Sequence, residues 1–239
     1  MLQTQQIQLN TPQIQVDSLL FKKSTQINLG FALPETEIYY TLNDEKPQKY
    51  DAPFHLQKTT NIRLQARKNG FQNSDWIETT LIKVNSKTQN ASIEVSPEAH
   101  KNYPATGATS LIDLQKGTVN FRAGQFWSGF QAEEVVVSLN FEVATEVEKI
   151  YLSLLSDHNS WIFLPKQIDV WAQGELIGTT NLNVPESAEK TALTSILINI
   201  EPNEYNTLEI KILNYEKIPE WHAGKGTPPW LFMDEILVE

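Results

Sequence analysis

The sequence predicts an all-β protein built from two tandem β-sandwich domains. Short segments such as residues 26–29 and 61–66 alternate apolar and polar side chains with a period of two, as half-buried strands do. Turn-forming residues such as Asn69-Gly70 interrupt these segments. No window in the first 84 residues keeps a helical apolar repeat for three turns. Together these patterns favour strands over helices.

The first predicted domain covers residues 8–84 and has about seven short strands. Residues 37–42 are rich in β-branched and aromatic side chains and run into a turn-rich cluster at residues 43–47. Short strands that are interrupted so regularly predict a small all-β sandwich.

The second predicted domain covers residues 93–239 and follows a polar linker at residues 85–92. Longer, irregular loops separate its strands, which predicts an antiparallel sandwich or jelly roll with elaborated end loops. Such loops are where binding function usually lies. The strand candidates are residues 135–141, 148–155, 167–172, 195–200, 207–213 and 230–238.

Charge and composition exclude several partners and chemistries. The net charge is −10, and residues 85–239 carry 10 basic against 21 acidic side chains. Nucleic acids and anionic membranes both need a basic face, so neither is an expected partner. The absence of cysteine excludes disulfides, thiolate-bound zinc and thiol nucleophiles. The sequence contains no apolar run of membrane-spanning length and opens without a signal peptide. The protein is therefore either cytosolic, or a fragment or mature form with an added Met, and we favour the fragment.

Three short motifs characterise the first domain. They are Thr11-Pro12-Gln13-Ile14, Ile38-Tyr39-Tyr40-Thr41-Leu42-Asn43 with Pro47, and Tyr50-Asp51-Ala52-Pro53-Phe54. The set resembles the fibronectin type III–like domain found beside bacterial chitobiases and β-hexosaminidases. Asn43-Asp44 replaces the usual Asp-Gly of its turn. The resemblance implies a spacer domain without catalytic residues.

Four motifs characterise the second domain. They are Gly107-Ala108-Thr109-Ser110-Leu111-Ile112-Asp113, Trp127-Ser128-Gly129-Phe130, Trp161-Ile162-Phe163-Leu164-Pro165 and Trp230-Leu231-Phe232-Met233-Asp234-Glu235-Ile236. The set resembles the discoidin, or coagulation factor 5/8 type C, galactose-binding-like domain, which is the shape of family 32 carbohydrate-binding modules. The combination of motifs resembles the versions attached to family 20 glycoside hydrolases and related secreted bacterial proteins. The resemblance implies the C-terminal accessory part of a secreted, periplasmic or cell-surface bacterial enzyme that acts on carbohydrates.

The same resemblance implies a structural Ca²⁺, an ion that prefers hard oxygen ligands. The matching positions are the side chains of Asp113, Thr118 and Glu235, with carbonyls near Ala108 and Gly117. Leu114 stands where the family usually has glycine. The alternative is that Asp113 only caps a turn.

Two tryptophans are candidates for a sugar-binding surface. Sugars pack their C–H groups on aromatic rings, while their hydroxyls need polar partners beside the ring. Trp161 and Trp221 both stand in loops, although Trp161 has the alternative of being a core residue at the start of a strand. The predicted polar partners are His158, Asn159, His222, Lys225 and Arg122. The tryptophans predicted to be core are Trp127, Trp171 and Trp230.

The sequence offers no convincing catalytic constellation. Its four histidines lack close metal spacing, and no serine lies in a nucleophile elbow. Asp234-Glu235 is similar to the adjacent acid pair of family 20 hexosaminidases, but that chemistry needs a deep pocket on a much larger barrel.

We therefore predict a non-catalytic module that binds glycans through end loops of the second domain. Galactose- or N-acetylhexosamine-containing glycans and an attached or neighbouring catalytic domain are the expected partners. One alternative is a pair of accessory domains that pack on a catalytic domain without binding sugar. A less favoured alternative is a hexosaminidase activity of the chain itself.

Overall fold

The computed structural model describes residues 7–43, 45–88, 91–122 and 125–239. The chain divides into two compact units, Met1–Val84 and Asn85–Glu239. Strands dominate both units, and the prediction of an all-β protein is confirmed. Within the described ranges, no helix has the length and apolar character needed to span a membrane.

The described residues of the first unit form eight strands in two sheets. The strands are β1 (Gln13–Gln15), β2 (Leu20–Phe21), β3 (Thr25–Gly30), β4 (Glu37–Leu42), β5 (Gln48–Lys49), β6 (Phe54–Leu56), β7 (Thr60–Arg67) and β8 (Ile77–Lys83). One sheet has the order β1-β3-β6 and the other β2-β8-β7-β4-β5. The pair β2–β8 is parallel, and the other neighbouring pairs are antiparallel.

Alternation along the strands of the first unit separates a core face from an outer face. In β7, Ile62 and Leu64 are buried in the apolar core, whereas Arg63 between them is exposed. The five-stranded sheet therefore turns a polar face outward, as period-two patterning requires.

In the second unit, the part of the chain that the structure describes forms seven strands. They are β9 (Ala91–Ser96), β10 (Ser128–Phe130), β11 (Glu134–Ser156), β12 (Gln167–Ala172), β13 (Glu175–Asn181), β14 (Ala192–Leu213) and β15 (Leu231–Val238). The first half of β11 pairs with β9 and the second half with β15, while β14 pairs with β11 along both halves. β12 joins the second half of β14, and β13 continues that side. β11 and β14 thus belong to both layers of the sandwich.

The length of β11 and β14 differs from the prediction. Each was expected as two separate strands, at residues 135–141 and 148–155 and at residues 195–200 and 207–213. The structure instead bends each long strand without ending it, and a register shift lies between Asn140 and Thr145. A bulge inserts extra residues and bends the strand, so an exposed polar stretch can lie mid-strand without being a turn.

Two apolar clusters hold the second unit together. The larger one fills the sandwich between the layers and includes Val137, Leu152 and Ile210, which are fully buried. The smaller one is aromatic and lies beneath the loops at one end. Its buried members are Phe121, Trp127, Leu155, Ile162 and Phe232. Trp127 is 3% exposed, as predicted, whereas Trp171 and Trp230 are half-buried.

Candidate functional site

Three loops of the second unit converge where β11 ends and β14 begins. Ser156 pairs with Ala192 at these strand ends, so the loops beyond them start side by side. The Trp161 carbonyl accepts a hydrogen bond from the Trp230 backbone N–H at 2.8 Å, which ties the 157–166 loop to the 214–230 loop. The Glu189 N–H donates to His158 Nδ1 at 3.1 Å, which adds the 182–191 loop.

Trp161 carries the exposed aromatic ring of this cluster, whereas Trp221 and Trp230 are half-buried. A short 3₁₀ helix at His158–Ser160 precedes it, and Trp161 then takes a left-handed backbone conformation with φ 64°. The side chain is 41% exposed. A bulky residue in this region costs on the order of 1–3 kcal/mol, and such strain concentrates at binding sites.

Gly224 supports the ring of Trp161 from below. A Cβ built at Gly224 would lie 2.9 Å from Cε2 of Trp161, closer than any side chain tolerates. Only glycine therefore lets this loop approach the indole so closely. The Gly224 N–H also donates to His222 Nδ1 at 2.9 Å, which fixes the loop.

The two histidines form the structural support of the loops. His222 accepts from Gly224 through Nδ1, so its Nε2 carries the proton and donates to the His158 carbonyl at 2.8 Å. His158 is only 3% exposed and stacks on Phe163 with ring centroids 4.4 Å apart. Burial lowers the pKa of His158. Both rings thus lie beneath the surface that Trp161 exposes.

Trp221 is an anchor rather than an open surface. Its Nε1 donates to the Pro185 carbonyl at 2.6 Å, and its ring contacts His158 edge-on at 5.4 Å. The side chain is half-buried. The structure therefore exposes the indole of Trp161 more than that of Trp221, although the sequence favoured exposure of Trp221.

Polar side chains are exposed in the loops that hold the Trp161 indole. The Arg122 guanidinium packs over the Phe121 ring at 4.3 Å, and its Nη2 lies 3.4 Å from Ser160 Oγ. Asn159 is exposed on the 3₁₀ turn beside Trp161. Lys225 is exposed next to Gly224 and pairs with Glu220 at 3.2 Å. Hydrogen-bond donors and acceptors are therefore available within the loops that hold the ring.

All seven predicted ligand-binding residues fall in the converging loops or on the Arg122 segment that touches them. Their contacts divide them into exposed groups and supporting groups. The exposed groups are Trp161, Asn159, Arg122 and Lys225, and the supporting groups are Trp221, His158 and His222. Sequence reasoning missed Gly224 and Pro185 as supports. The Gly-x-Gly spacing of the last loop was the one available signal for Gly224.

A second constellation surrounds the carboxylate of Glu235 in β15. Glu235 is fully buried; the Leu114 backbone approaches its carboxylate, and among the described residues no side chain bonds either of its oxygens. Burial, reinforced by the nearby charges of Asp113 and Asp234, raises its pKa to about 9. A buried carboxylate without adequate partners is costly, and a cation supplied by solvent would relieve that cost.

Of the predicted metal ligands, Asp113 lies near enough to Glu235 for its charge to raise the pKa of that carboxyl. Asp113 follows the 3₁₀ helix Ala108–Ile112, and its side chain accepts a hydrogen bond from the Gln115 N–H at 2.7 Å, as expected of a residue that caps a turn. Leu114 adopts φ 64°, the left-handed conformation that glycine would favour there. The carbonyl of Thr118 accepts from Trp127 Nε1 at 3.0 Å.

A buried ion pair beside Glu235 was not predicted. Lys116 Nζ lies 3.2 Å from Asp234 Oδ2 and also bonds Ser153 Oγ. The Gly117 N–H donates to the same Asp234 carboxylate at 2.7 Å. Asp234 is fully buried, and these contacts compensate its negative charge. They also hold the 113–118 loop against β15. The described residues contain no cluster of three histidine, cysteine or acidic side chains placed to hold a metal.

A comparison with protein-family models gives a match in the first unit. Residues 27–81, within the first unit, match the family model described as Fn3 associated. No curated protein matches the sequence. The family match therefore concerns the first unit alone.

Several solved structures are similar to the chain at low identity. Chitosan-binding module 1 from a chitosanase/glucanase of Paenibacillus sp. IK-5 is 10% identical, with 65% of this chain and 98% of that chain covered and a TM-score of 0.43. A family 32 carbohydrate-binding module from Clostridium perfringens NanJ, in complex with galactose, is 15% identical, with 63% and 94% covered and a TM-score of 0.40. A SusE-like protein, BT2857, is 11% identical, with 94% and 95% covered and a TM-score of 0.41. These likenesses concern the fold alone.

Proposed function

We propose that the second unit is a non-catalytic glycan-binding module whose binding surface is the exposed indole of Trp161. The observation that carries this proposal is the geometry of that one residue. Trp161 is exposed and conformationally strained, and its ring rests on a glycine that has no room for a side chain. A large apolar ring held rigidly in the open costs free energy that a ligand face would recover.

The polar groups around the ring suit a sugar rather than an apolar protein partner. Arg122 and Asn159 offer donors and an amide acceptor next to the indole, and sugar hydroxyls need both. An apolar docking surface would instead extend the hydrophobic area around the ring. Galactose- and N-acetylhexosamine-containing glycans are the proposed ligands, in line with the galactose-binding-like motifs of the sequence.

The proposed context is an accessory part of a secreted or cell-surface carbohydrate-active protein, with family 20 glycoside hydrolases as the specific candidate. Binding on an open ring buries little ligand surface, so we expect weak affinity for a single site. A hexosaminidase activity of the chain is disfavoured, because the acid pair Asp234-Glu235 is fully buried. The alternative is that the domains pack on a catalytic domain without binding sugar. That packing would also use Trp161 but would not need the polar side chains near it.

The proposal includes a structural Ca²⁺ held by Glu235 and Asp113, with the Thr118 hydroxyl as a third ligand. The buried Glu235 carboxylate fits this role, since among the described residues no side chain bonds either of its oxygens. The ion would supply the positive charge that this carboxylate needs. Its role would be to hold the 113–118 loop on β15, and the ion would take no part in contacting the glycan.

The test is a glycan array with the purified chain, with and without Ca²⁺, beside three variants. Trp161→Ala should abolish the binding that the wild type shows. Trp221→Ala should weaken binding through loss of loop support. Trp171→Ala is the matched control, since Trp171 lies at the end of β12 that is farther from the 157–166 loop. A folded wild-type chain that binds no glycan would favour the packing alternative, and binding that survives Trp161→Ala would refute the assigned surface.

A further inference from the structure

The outer face of the first unit carries a groove that the spacer role does not use. It lies across strands β4, β7 and the start of β8, has a volume of about 620 Å³, and is open to solvent on one side. Ligand sites commonly range from about 300 to 1,000 Å³, so this groove is large enough for a short ligand. The lining residues are Thr41, Asn43, Glu45, Pro47, Asn61, Arg63, Trp76 and Glu78.

Trp76 provides an aromatic wall for the groove. It immediately precedes β8, and its side chain is only half-buried although it is the single tryptophan of the first unit. The Arg63 guanidinium lies over its ring at 5.3 Å. An arginine packed on a tryptophan keeps the indole in place, and the N–H groups of its guanidinium remain available as donors at the groove.

The polar wall is held rigid by a chain of hydrogen bonds. Asn61 Nδ2 donates to Glu78 Oε1 at 2.8 Å and to Thr80 Oγ1 at 3.2 Å. The Asn61 backbone N–H donates to Asn43 Oδ1 at 3.0 Å. The amides and the carboxylate are therefore fixed before any ligand arrives, which reduces the entropy cost of binding.

The floor of the groove has unmet hydrogen-bonding capacity. Thr41 lies opposite Arg63 in the antiparallel register, on the outward side of β4. It is 6% exposed, and among the described residues nothing bonds its hydroxyl. A buried hydroxyl without a partner is unfavourable, and a ligand hydroxyl, or a water carried with it, would supply the missing hydrogen bond.

We propose that this groove is a second saccharide-binding site, which takes a short segment of a neutral oligosaccharide against Trp76. The groove combines one aromatic face with both hydrogen-bond donors and hydrogen-bond acceptors. Its charges, Arg63 against Glu45 and Glu78, are opposed rather than of one sign, which suits hydroxyl groups better than a strongly charged ligand. The first unit then contributes its own recognition and is more than a spacer.

The test uses the full chain with Trp161→Ala, so that the surface proposed in the second unit is disabled. Soluble neutral oligosaccharides of glucose, N-acetylglucosamine, mannose and galactose are titrated while the indole N–H resonance of Trp76 is followed by NMR. At least one oligosaccharide should shift this resonance, and Arg63→Ala should weaken the affinity for that oligosaccharide about tenfold or more. Trp76→Ala lacks this resonance, so its affinity is measured by calorimetry and should fall by a similar factor.

Arg67→Ala is the matched control. Arg67 lies on the same strand as Arg63 and packs over the Tyr39 ring at 4.0 Å, so it removes an equivalent arginine–aromatic contact outside the groove. Affinity should be unchanged in this variant. A Trp76 resonance that stays in place with every oligosaccharide, or equal losses in the Arg63 and Arg67 variants, would overturn the proposal. Either result leaves the role of Trp161 intact, because that role is judged on the chain with Trp161 present.

Discussion

Replacing Glu235 by glutamine should stabilise the protein at neutral pH in the absence of calcium. The side chain is fully buried, and its folded-state pKa is raised to about 9, mainly by burial. Glutamine has nearly the same shape but never ionises. The substitution therefore removes the cost of keeping this carboxyl protonated in the fold while the unfolded chain is free to ionise it.

The size of the effect follows from the two pKa values. Below the unfolded pKa of 4.5, the carboxyl is neutral in both the folded and the unfolded chain and makes no pH-dependent contribution to stability. As the pH rises from there toward 9, only the unfolded chain loses the proton, so wild-type stability falls. One pH unit corresponds to about 1.4 kcal/mol, so the loss at about pH 7.5 is on the order of 4 kcal/mol.

The assay is urea denaturation of wild type and Glu235→Gln in a calcium chelator at a series of pH values. The difference in unfolding free energy between the two proteins is the relevant quantity, because other titrating groups cancel in it. It should be small near pH 4.5 and grow in favour of the variant toward pH 8. Added Ca²⁺ should then stabilise the wild type and leave the variant unchanged.

A pH-independent difference would refute the reasoning, because it would mean that Glu235 is ionised in the fold or satisfied by other groups. Equal stabilisation of both proteins by Ca²⁺ would separately refute the proposed calcium ligand.

Three further substitutions or conditions test the loops and the buried ion pair. Gly224→Ala places a Cβ 2.9 Å from Trp161, so the indole must shift, and glycan affinity should fall about tenfold in a titration; unchanged affinity would contradict the support role. Burial lowers the pKa of His158, so as the pH falls below 6.5 the unfolded chain takes up a proton before the folded chain does, and the folded loop loses stability. The wild type should therefore bind glycan less well at pH 5.5 than at pH 7.5. An affinity that does not change with pH would be inconsistent with this account. Lys116→Met leaves Asp234 buried with only backbone partners, which should cost about 3 kcal/mol in urea denaturation, and a variant of wild-type stability would show that the pair contributes nothing.

In the second unit the sequence predicted segments of β11, β12, β14 and β15, because alternation and turn residues are local signals, but its strand candidates did not include β9, β10 and β13. It divided β11 and β14 because a bulge in a long strand resembles a loop when only neighbouring residues are considered. The bend at residues 140–145 is set by pairing with β14, which local patterns do not contain.

The sequence also located the loops of the candidate site but could not assign exposure within them. The exposed indole of Trp161 rests on Gly224, whereas the half-buried indole of Trp221 donates to the Pro185 carbonyl. In each case the contacting residue belongs to a different loop. The groove on the first unit was equally hidden, since Arg63 and Trp76 meet only when β7 and β8 pair. Such contacts between distant segments require the folded chain.

The most direct test of the account is an NMR titration of the indole N–H resonances with the glycan that binds best on the array. The chain has six tryptophans, and single Trp→Ala variants assign their resonances. The Trp161 resonance should shift as glycan is added, while that of Trp127, whose Nε1 is bonded to the Thr118 carbonyl in the core, should stay in place. A Trp161 resonance that does not move at saturating glycan would contradict the claim that this indole is the binding surface.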